Sequence, residues 1–128
     1  MSKHTILIIE DDPNLRDLYH TVLSDNEYEV EMAADGQEGL LKLQQGGHEL
    51  TLLDMMLPNL NGVEVLKELQ VHPVPADKKP NGIIVLMTNV ADEAVIKQAE
   101  ELGATSHIMK SEITPTILLE HVTKLLST

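Results

Sequence analysis

The chain has 128 residues, which is the size of one ordinary domain. Twenty-one Asp and Glu residues against nine Lys and Arg give a net charge of −12, which disfavours binding to nucleic acid or to an anionic membrane. The absence of cysteine excludes disulfides, thiol catalysis and cysteine-ligated metals. Because no segment resembles a signal peptide or a membrane span, we expect a cytoplasmic protein with one aliphatic core.

Short apolar, β-branched runs alternate along the chain with helical patterns. Runs of four to six such residues between polar turns are typical of strands buried on both faces. Apolar residues that repeat every three or four positions predict amphipathic helices between them. The predicted strands are Thr5–Ile9, Tyr28–Ala33, Leu50–Leu53, Ile83–Met87 and Ser106–Met109.

Helix start and stop signals agree with this division. Asp12-Pro13 and Thr114-Pro115 each predict an N-cap followed by the first residue of a helix. Asp35 and a Glu three residues later resemble a capping box. Gly46-Gly47 and Gly103 predict helix ends.

Five strand–helix units in alternation predict an α/β fold, a doubly wound five-stranded parallel sheet with helices on both faces. We expect residues 1–128 to form this one domain. The Pro-rich stretch from His72 to Gly82, which contains Lys78-Lys79, is expected to be a solvated surface loop, with a partner contact as the alternative.

Polar residues follow the predicted strands at the end where such a sheet binds ligands. In an open parallel sheet, ligands bind at the carboxyl ends of the strands, where the strand order reverses. The residues that the sequence places at this edge are Glu10, Asp11 and Asp12 after the first strand, Asp54 after the third, Thr88 after the fourth and Lys110 after the fifth.

These residue types together predict a site that accepts a phosphoryl group. Clustered carboxylates repel one another unless a cation neutralises them, and Mg²⁺ is the hard cation that suits oxygen ligands. A carboxylate in such a site can attack phosphorus and form an aspartyl phosphate. Thr88 could donate a hydrogen bond to a phosphoryl oxygen, and Lys110 could balance its charge. Asp12 alone is better explained as a helix cap.

Several motifs in this order and spacing resemble the receiver domain of two-component response regulators, which has the CheY-like fold. The resemblance covers essentially the whole chain. The matching stretches are Ile6–Pro13 with Leu15-Arg16, Asp35-Gly36, Leu53–Pro58 with Gly62, Val85–Thr88, Glu101–Ala104 and Ile108–Lys110.

The resemblance implies a role for each matched residue. Asp54 would accept the phosphoryl group from a phosphohistidine on a sensor histidine kinase or a phosphotransfer protein. Asp11 would bind Mg²⁺ directly, Glu10 through water, and Met56 through its backbone carbonyl. Thr88 and Lys110 would hold the phosphoryl group, and receiver domains are not usually classed as enzymes.

Four positions depart from the usual receiver pattern. They are Asn61, where a second acid is usual before the glycine, Asn89 in place of a small residue, His107 in place of Tyr or Phe, and Ser111 in place of Pro. We hypothesise that His107 rotates inward on phosphorylation and makes the switch sensitive to pH. The alternative is a half-exposed histidine packed at a strand edge.

Other side chains give weaker predictions. The positions that tune dephosphorylation in this family hold Met56 and Val90, which cannot orient a water, so we expect a long-lived phospho-form. The remaining histidines show no metal-binding spacing and are expected on surfaces or helix faces; they are His4, His20, His48, His72 and His121.

Phosphorylation is expected to change the face formed by the fourth helix, fifth strand and fifth helix, through which a protein target binds. A phosphorylation-dependent homodimer is a further alternative. Either the chain acts alone through protein contacts, or it is a receiver from a longer regulator. A phosphatase that uses an aspartyl phosphate is disfavoured because Met56 occupies the place of its second Asp.

Overall fold

The computed structural model describes residues 3–89 and 92–127. It contains one five-stranded parallel sheet in the order β2-β1-β3-β4-β5. The strands are β1 (Thr5–Ile9), β2 (Glu29–Ala33), β3 (Leu50–Asp54), β4 (Ile83–Thr88) and β5 (Ser106–Met109). The helices are α1 (Pro13–Ser24), α2 (Gly36–Gln45), α3 (Gly62–Val71), α4 (Glu93–Glu101) and α5 (Pro115–Leu126), with a 3-10 turn at Lys110–Glu112.

Two mainly aliphatic cores lie on opposite faces of the sheet, as the predicted doubly wound fold requires. One core joins Leu7, Ile9, Leu53 and Leu86 of the strands to α2, α3 and α4. The other joins Ile6, Ile8, Leu52 and Val85 of the strands to α1 and α5. Alternate residues of each central strand therefore enter different cores, which explains the continuous apolar runs in the sequence.

The second strand differs from its prediction. It begins at Glu29 rather than Tyr28, and only Ala33 is buried. The expectation of burial on both faces was wrong here because β2 lies at the edge of the sheet, where β1 is its only neighbouring strand.

The predicted caps form, with one change at α2. Asp12 and Thr114 cap their helices through their side chains, and Gly46 and Gly103 have positive φ angles after the helices that they follow. Asp35 accepts a hydrogen bond from the Glu38 backbone N–H, whereas the Glu38 carboxylate accepts from the backbone N–H of Ala34 rather than that of Asp35. Only half of the predicted capping box is therefore present.

His48 is buried, and the expectation that it lies on a surface or helix face was wrong. It is 2% exposed, and its backbone N–H donates to the Asn81 Oδ1, which also lies 3.0 Å from His48 Nδ1. The Asn81 amide in turn donates to the Leu43 carbonyl, 2.7 Å away. The predicted loop contains no helix or strand between α3 and β4. These bonds fasten its carboxyl end to the segments that precede β3, at the end of the strands opposite the predicted site.

The central strand β3 contains one buried hydroxyl that lacks a hydrogen bond. Thr51 is fully buried, and its Oγ1 has no hydrogen-bond partner among the described residues. A buried hydroxyl that exchanges water for no partner lowers stability.

We therefore predict that Thr51→Val, which keeps the shape and removes the hydroxyl, raises the free energy of unfolding by about 1 kcal/mol. Urea denaturation measures the change, with exposed Thr105→Val as the matched control. A destabilised Thr51→Val protein would show that the hydroxyl has a partner in solution.

Candidate functional site

The site lies where β1 and β3 end side by side at the centre of the sheet. Ile9 pairs with Leu53 in the sheet register, so the next residues, Glu10 and Asp54, arrive at the same edge. Both carboxylate residues are 2% exposed. The strand order reverses between β1 and β3, so these carboxylates occupy the point at which parallel sheets of this type bind ligands.

Lys110 reaches this pair of carboxylates from the end of β5. Its Nζ lies 2.8 Å from Glu10 Oε1 and 3.0 Å from Asp54 Oδ2. Because β4 separates β5 from β3, the lysine side chain must extend across the end of β4 to make both contacts. Lys110 therefore has a pair of carboxylates as its anionic partners.

One lysine does not neutralise two buried carboxylates. Burial raises the pKa of Glu10, and the hydrogen bond and charge of Asp54 raise it further, against the lowering effect of Lys110. Burial alone would lower the pKa of Lys110, but the hydrogen bonds and charges of Glu10 and Asp54 raise it above its usual value. The pocket thus favours a charged lysine and retains an excess of negative charge.

Asp11 supplies a third carboxylate at the solvent side of this pocket. One carboxylate oxygen each from Glu10, Asp11 and Asp54 lies within 4.8 Å of the other two, and Asp11 is exposed. Three hard oxygen donors and uncompensated negative charge fit a divalent cation such as Mg²⁺, with the exposed Asp11 side open to water. No other such cluster of His, Asp or Glu occurs among the described residues.

Asp12 has a structural role, as predicted. Its Oδ1 accepts hydrogen bonds from the backbone N–H groups of Asn14 at 2.9 Å and Leu15 at 3.3 Å, which caps α1. The Asp12 backbone N–H donates to the Glu10 Oε2. The loop that holds the metal-binding candidates is therefore fastened to the first turn of α1.

Arg16 supports the same loop, and the sequence reasoning assigned it no role. Its Nη1 donates to the Glu10 carbonyl oxygen at 2.9 Å. Arg16 faces this carbonyl because it lies in the first turn of α1, just beyond the Asp12 cap. Two signals were available in the sequence: Arg16 belongs to a stretch that matches the receiver pattern, and it follows an acidic loop.

Both carboxylate oxygens of Asp54 have donors. Oδ1 accepts from the Met56 backbone N–H at 3.1 Å, and Oδ2 accepts from Lys110. The Met56 side chain is 62% exposed. Asp54 is thus held in one orientation by a backbone group and a charged side chain, an arrangement that could position a carboxylate for nucleophilic attack.

Thr88 is the last residue of β4 and is fully buried, with its hydroxyl 3.3 Å from the Met55 Sδ. The structure therefore brings Glu10, Asp11, Asp54 and Lys110 together. The Thr88 hydroxyl lies at the neighbouring strand end, where it donates to the residue that follows Asp54.

The four unusual positions occupy different environments. Asn61 caps α3, because its side chain accepts from the Glu64 N–H while the Glu64 carboxylate accepts from the Asn61 N–H, a capping box that the sequence reasoning missed. Asn89 and Ser111 are exposed. His107 is exposed beside a hollow of about 380 Å³ between α4 and β5.

Comparison with known proteins identifies the family. The response regulator receiver domain model matches residues 6–123. The chain belongs to the response regulator receiver family. The fold and the phosphoacceptor class that the sequence motifs indicated are therefore confirmed.

Two relatives show the range of proteins that contain this receiver domain. Sporulation initiation phosphotransferase F of Bacillus subtilis is 32% identical over 110 residues, which cover 86% of this chain and 84% of that protein. Response regulator RR06 of Streptococcus pneumoniae is 35% identical over 106 residues, 82% of this chain but 45% of that protein. The chain spans about half the length of several curated relatives that it matches.

A solved receiver structure has the same fold. The crystal structure of a CheY-like receiver domain protein from Methanospirillum hungatei is 31% identical, has a TM-score of 0.83 and covers 98% of this chain and 95% of that one. None of the described helices of the present receiver is long and apolar enough to cross a membrane.

In this geometry the positive charge of Lys110 offsets the cost of burying the carboxylates of Glu10 and Asp54. We predict that Lys110→Met lowers the free energy of unfolding by about 3 kcal/mol in metal-free buffer, because it leaves Glu10 and Asp54 unpaired. Adding Glu10→Gln to this variant should restore part of the loss. Urea denaturation measures both variants, with exposed Lys97→Met as the control. If Lys110→Met lost no more free energy of unfolding than Lys97→Met, the pairing would be contradicted.

Proposed function

We propose that this receiver is a phosphoacceptor switch in which Asp54 accepts a phosphoryl group in a Mg²⁺-dependent reaction. The observation that carries the proposal is the buried Asp54 carboxylate, oriented by Met56 N–H and Lys110 beside the carboxylates of Glu10 and Asp11. Family membership supports the same function. The donor is a phosphohistidine on a sensor histidine kinase or a phosphotransfer protein.

The proposed reaction transfers a phosphoryl group from nitrogen to oxygen. A carboxylate oxygen of Asp54 attacks phosphorus, the bond from phosphorus to the donor imidazole breaks, and the imidazole nitrogen keeps the electron pair. The residues that would hold Mg²⁺ are Asp11, Asp54, Met56 through its carbonyl and Glu10 through water, and the ion would supply charge neutralisation. Lys110, already ion-paired with Asp54, counters the negative charge that arrives on the phosphoryl oxygens.

Thr88 and His107 are the proposed switch residues. Thr88 would turn its hydroxyl towards the phosphoryl group, and His107 would rotate inward from its exposed position on β5. The change would be read by a protein target on the face of α4, β5 and α5. Glu93 and Glu100 line the same hollow as His107, so a basic segment of the target suits this face.

The proposal extends to the lifetime and the setting of the switch. The exposed, apolar Met56 offers no group to orient an attacking water, which supports a long-lived phospho-form; Val90, the other residue of that expectation, lies outside the described residues. We place the protein in the cytoplasm. Its net charge of −12 argues against direct contact with nucleic acid. Its own chemistry is limited to gaining the phosphoryl group and losing it slowly.

The relatives support two settings for the receiver. The match over most of Sporulation initiation phosphotransferase F supports a receiver that acts alone, whereas the match to less than half of RR06 supports a receiver within a longer regulator. The alternative of a phosphatase with a second Asp gains no support, because Met56 occupies that position. A homodimer of the phospho-form remains a proposal that sedimentation of the phosphorylated protein tests.

Phosphorylation with acetyl phosphate and Mg²⁺, followed by intact mass spectrometry, tests the assignment. We predict that the wild type gains one phosphoryl group, that Asp54→Ala gains none, and that Asp11→Ala loses most of the Mg²⁺-dependent rate. The neighbouring helix-cap variant Asp12→Ala should still be phosphorylated and lose only about 1 kcal/mol of stability. Exposed Asp77→Ala is the control; an unphosphorylated wild type would contradict the proposal.

The role of His107 gives a separate prediction. If its imidazole couples Asp54 to the outer face, binding of the phospho-form to its target should change between pH 6 and pH 8. The His107→Tyr variant should lose this pH dependence and still bind the target when phosphorylated. Identical pH profiles for the wild type and the variant would show that His107 does not make the switch sensitive to pH.

A further inference from the structure

Met55, the residue after Asp54, has a backbone that is fixed on both sides. Its N–H donates to the Met87 carbonyl at 2.9 Å, and its own carbonyl accepts from the Gly62 N–H at 2.9 Å. A side chain at Gly62 would place its Cβ 2.9 Å from the Met55 Cα, so the loop between β3 and α3 closes tightly over this residue. Only the side chain of Met55 is free to respond to events at Asp54.

This side chain connects the phosphorylation site to a cleft. Its sulfur lies 3.3 Å from the buried Thr88 hydroxyl, and its half-buried chain packs against the core that contains Leu86. Met55 also lines a cleft of about 270 Å³ between α3 and α4, with Val63 and Val95 on its walls. One thioether therefore touches both the proposed phosphoryl ligand Thr88 and a surface cleft away from β5.

We propose that Met55 is a positioning residue of the switch: its sulfur holds the Thr88 hydroxyl in the unphosphorylated protein, and phosphorylation releases the side chain and changes the α3–α4 cleft. The inference rests on the proposed function, because it takes Asp54 as the phosphoacceptor and Thr88 as a ligand of the phosphoryl group.

The chemistry of the two acceptors gives the direction of the change. A threonine hydroxyl has one proton to donate, and a thioether sulfur is a weak acceptor for it. A charged phosphoryl oxygen on Asp54 accepts a stronger, charge-assisted hydrogen bond. The Thr88 hydroxyl must therefore leave the sulfur when it binds the phosphoryl group, and the sulfur holds it only weakly beforehand.

The released side chain has one direction in which to move. The core on one side is closely packed, and the backbone is fixed, whereas the cleft between α3 and α4 is open. Methionine is unbranched with three rotatable bonds and adapts readily to a new environment. The phospho-form therefore has a different α3–α4 cleft, in addition to any change on the face of α4, β5 and α5.

A packing role for Met55 is the alternative, and two substitutions separate it from the hydrogen bond. Met55→Leu conserves volume and removes the acceptor, whereas Met55→Gln provides a stronger acceptor at a similar reach. Beryllofluoride with Mg²⁺, which takes the place of the phosphoryl group on Asp54, serves as the ligand, and calorimetry measures its affinity.

The proposal predicts opposite effects of these two substitutions. Met55→Leu should bind beryllofluoride about two- to fivefold more tightly, because one neutral hydrogen bond no longer competes for Thr88, and Met55→Gln should bind more weakly. In a Thr88→Val background both differences should disappear. A shift in the same direction for Leu and Gln, or differences that persist with Val at position 88, would overturn the proposal.

Methyl NMR of methionine-labelled protein separates this proposal from the function on which it rests. Thr88→Val should shift the Met55 methyl resonance without any ligand, and an unshifted resonance would overturn the Thr88–Met55 bond. If that shift occurs but the wild type binds no beryllofluoride, the phosphoacceptor proposal fails while the hydrogen bond stands. If the wild type binds beryllofluoride and the Met55 methyl does not change, the release of Met55 is wrong.

Discussion

The contact of one lysine with two buried carboxylates is the interaction on which the site depends. Lys110 Nζ lies 2.8 Å from Glu10 and 3.0 Å from Asp54, and these residues come from the ends of three different strands. Such a contact needs β1 and β3 side by side, so that Glu10 and Asp54 meet, and a lysine just after β5 that extends across the end of β4, and the order β2-β1-β3-β4-β5 provides both. The strand order of this receiver is therefore what brings the charged residues of its site together.

The same contact explains why the site is ready for a cation and a phosphoryl group. One positive charge against the carboxylates of Glu10 and Asp54, with Asp11 beside them, leaves an excess of negative charge in a buried place. This arrangement is unfavourable for the isolated domain and favourable once a divalent ion is bound. The aliphatic cores on both faces of the sheet hold the carboxylates in place despite their repulsion. Most of the net charge of −12 lies outside this pocket and belongs to the surface.

The sequence predicted the features that depend on local pattern and strand order. The alternation of strands and helices predicted the sheet, and strand ends then placed Glu10, Asp11, Asp54 and Lys110 at one edge without any coordinates. The edge position of β2 was missed because periodicity does not show how many neighbours a strand has. The burial of His48 and the Thr88–Met55 contact were missed because they depend on side-chain packing between segments that are distant in the sequence. The sequence showed Asn61 only as a departure from the acid that is usual at this position. Its role as a helix cap depends on the contact with Glu64, which the structure shows.

Chemical mapping of the modified residue shows whether the phosphoryl group is carried on the Asp54 carboxylate. An acyl phosphate is reduced by borohydride to an alcohol, which marks the modified carboxylate permanently for peptide mapping. After incubation with a phosphodonor and Mg²⁺, we expect the mark at Asp54 and none at Glu10 or Asp11. A mark on another carboxylate, or a phosphoryl group on a histidine or serine instead, would show that Asp54 is not the phosphoacceptor.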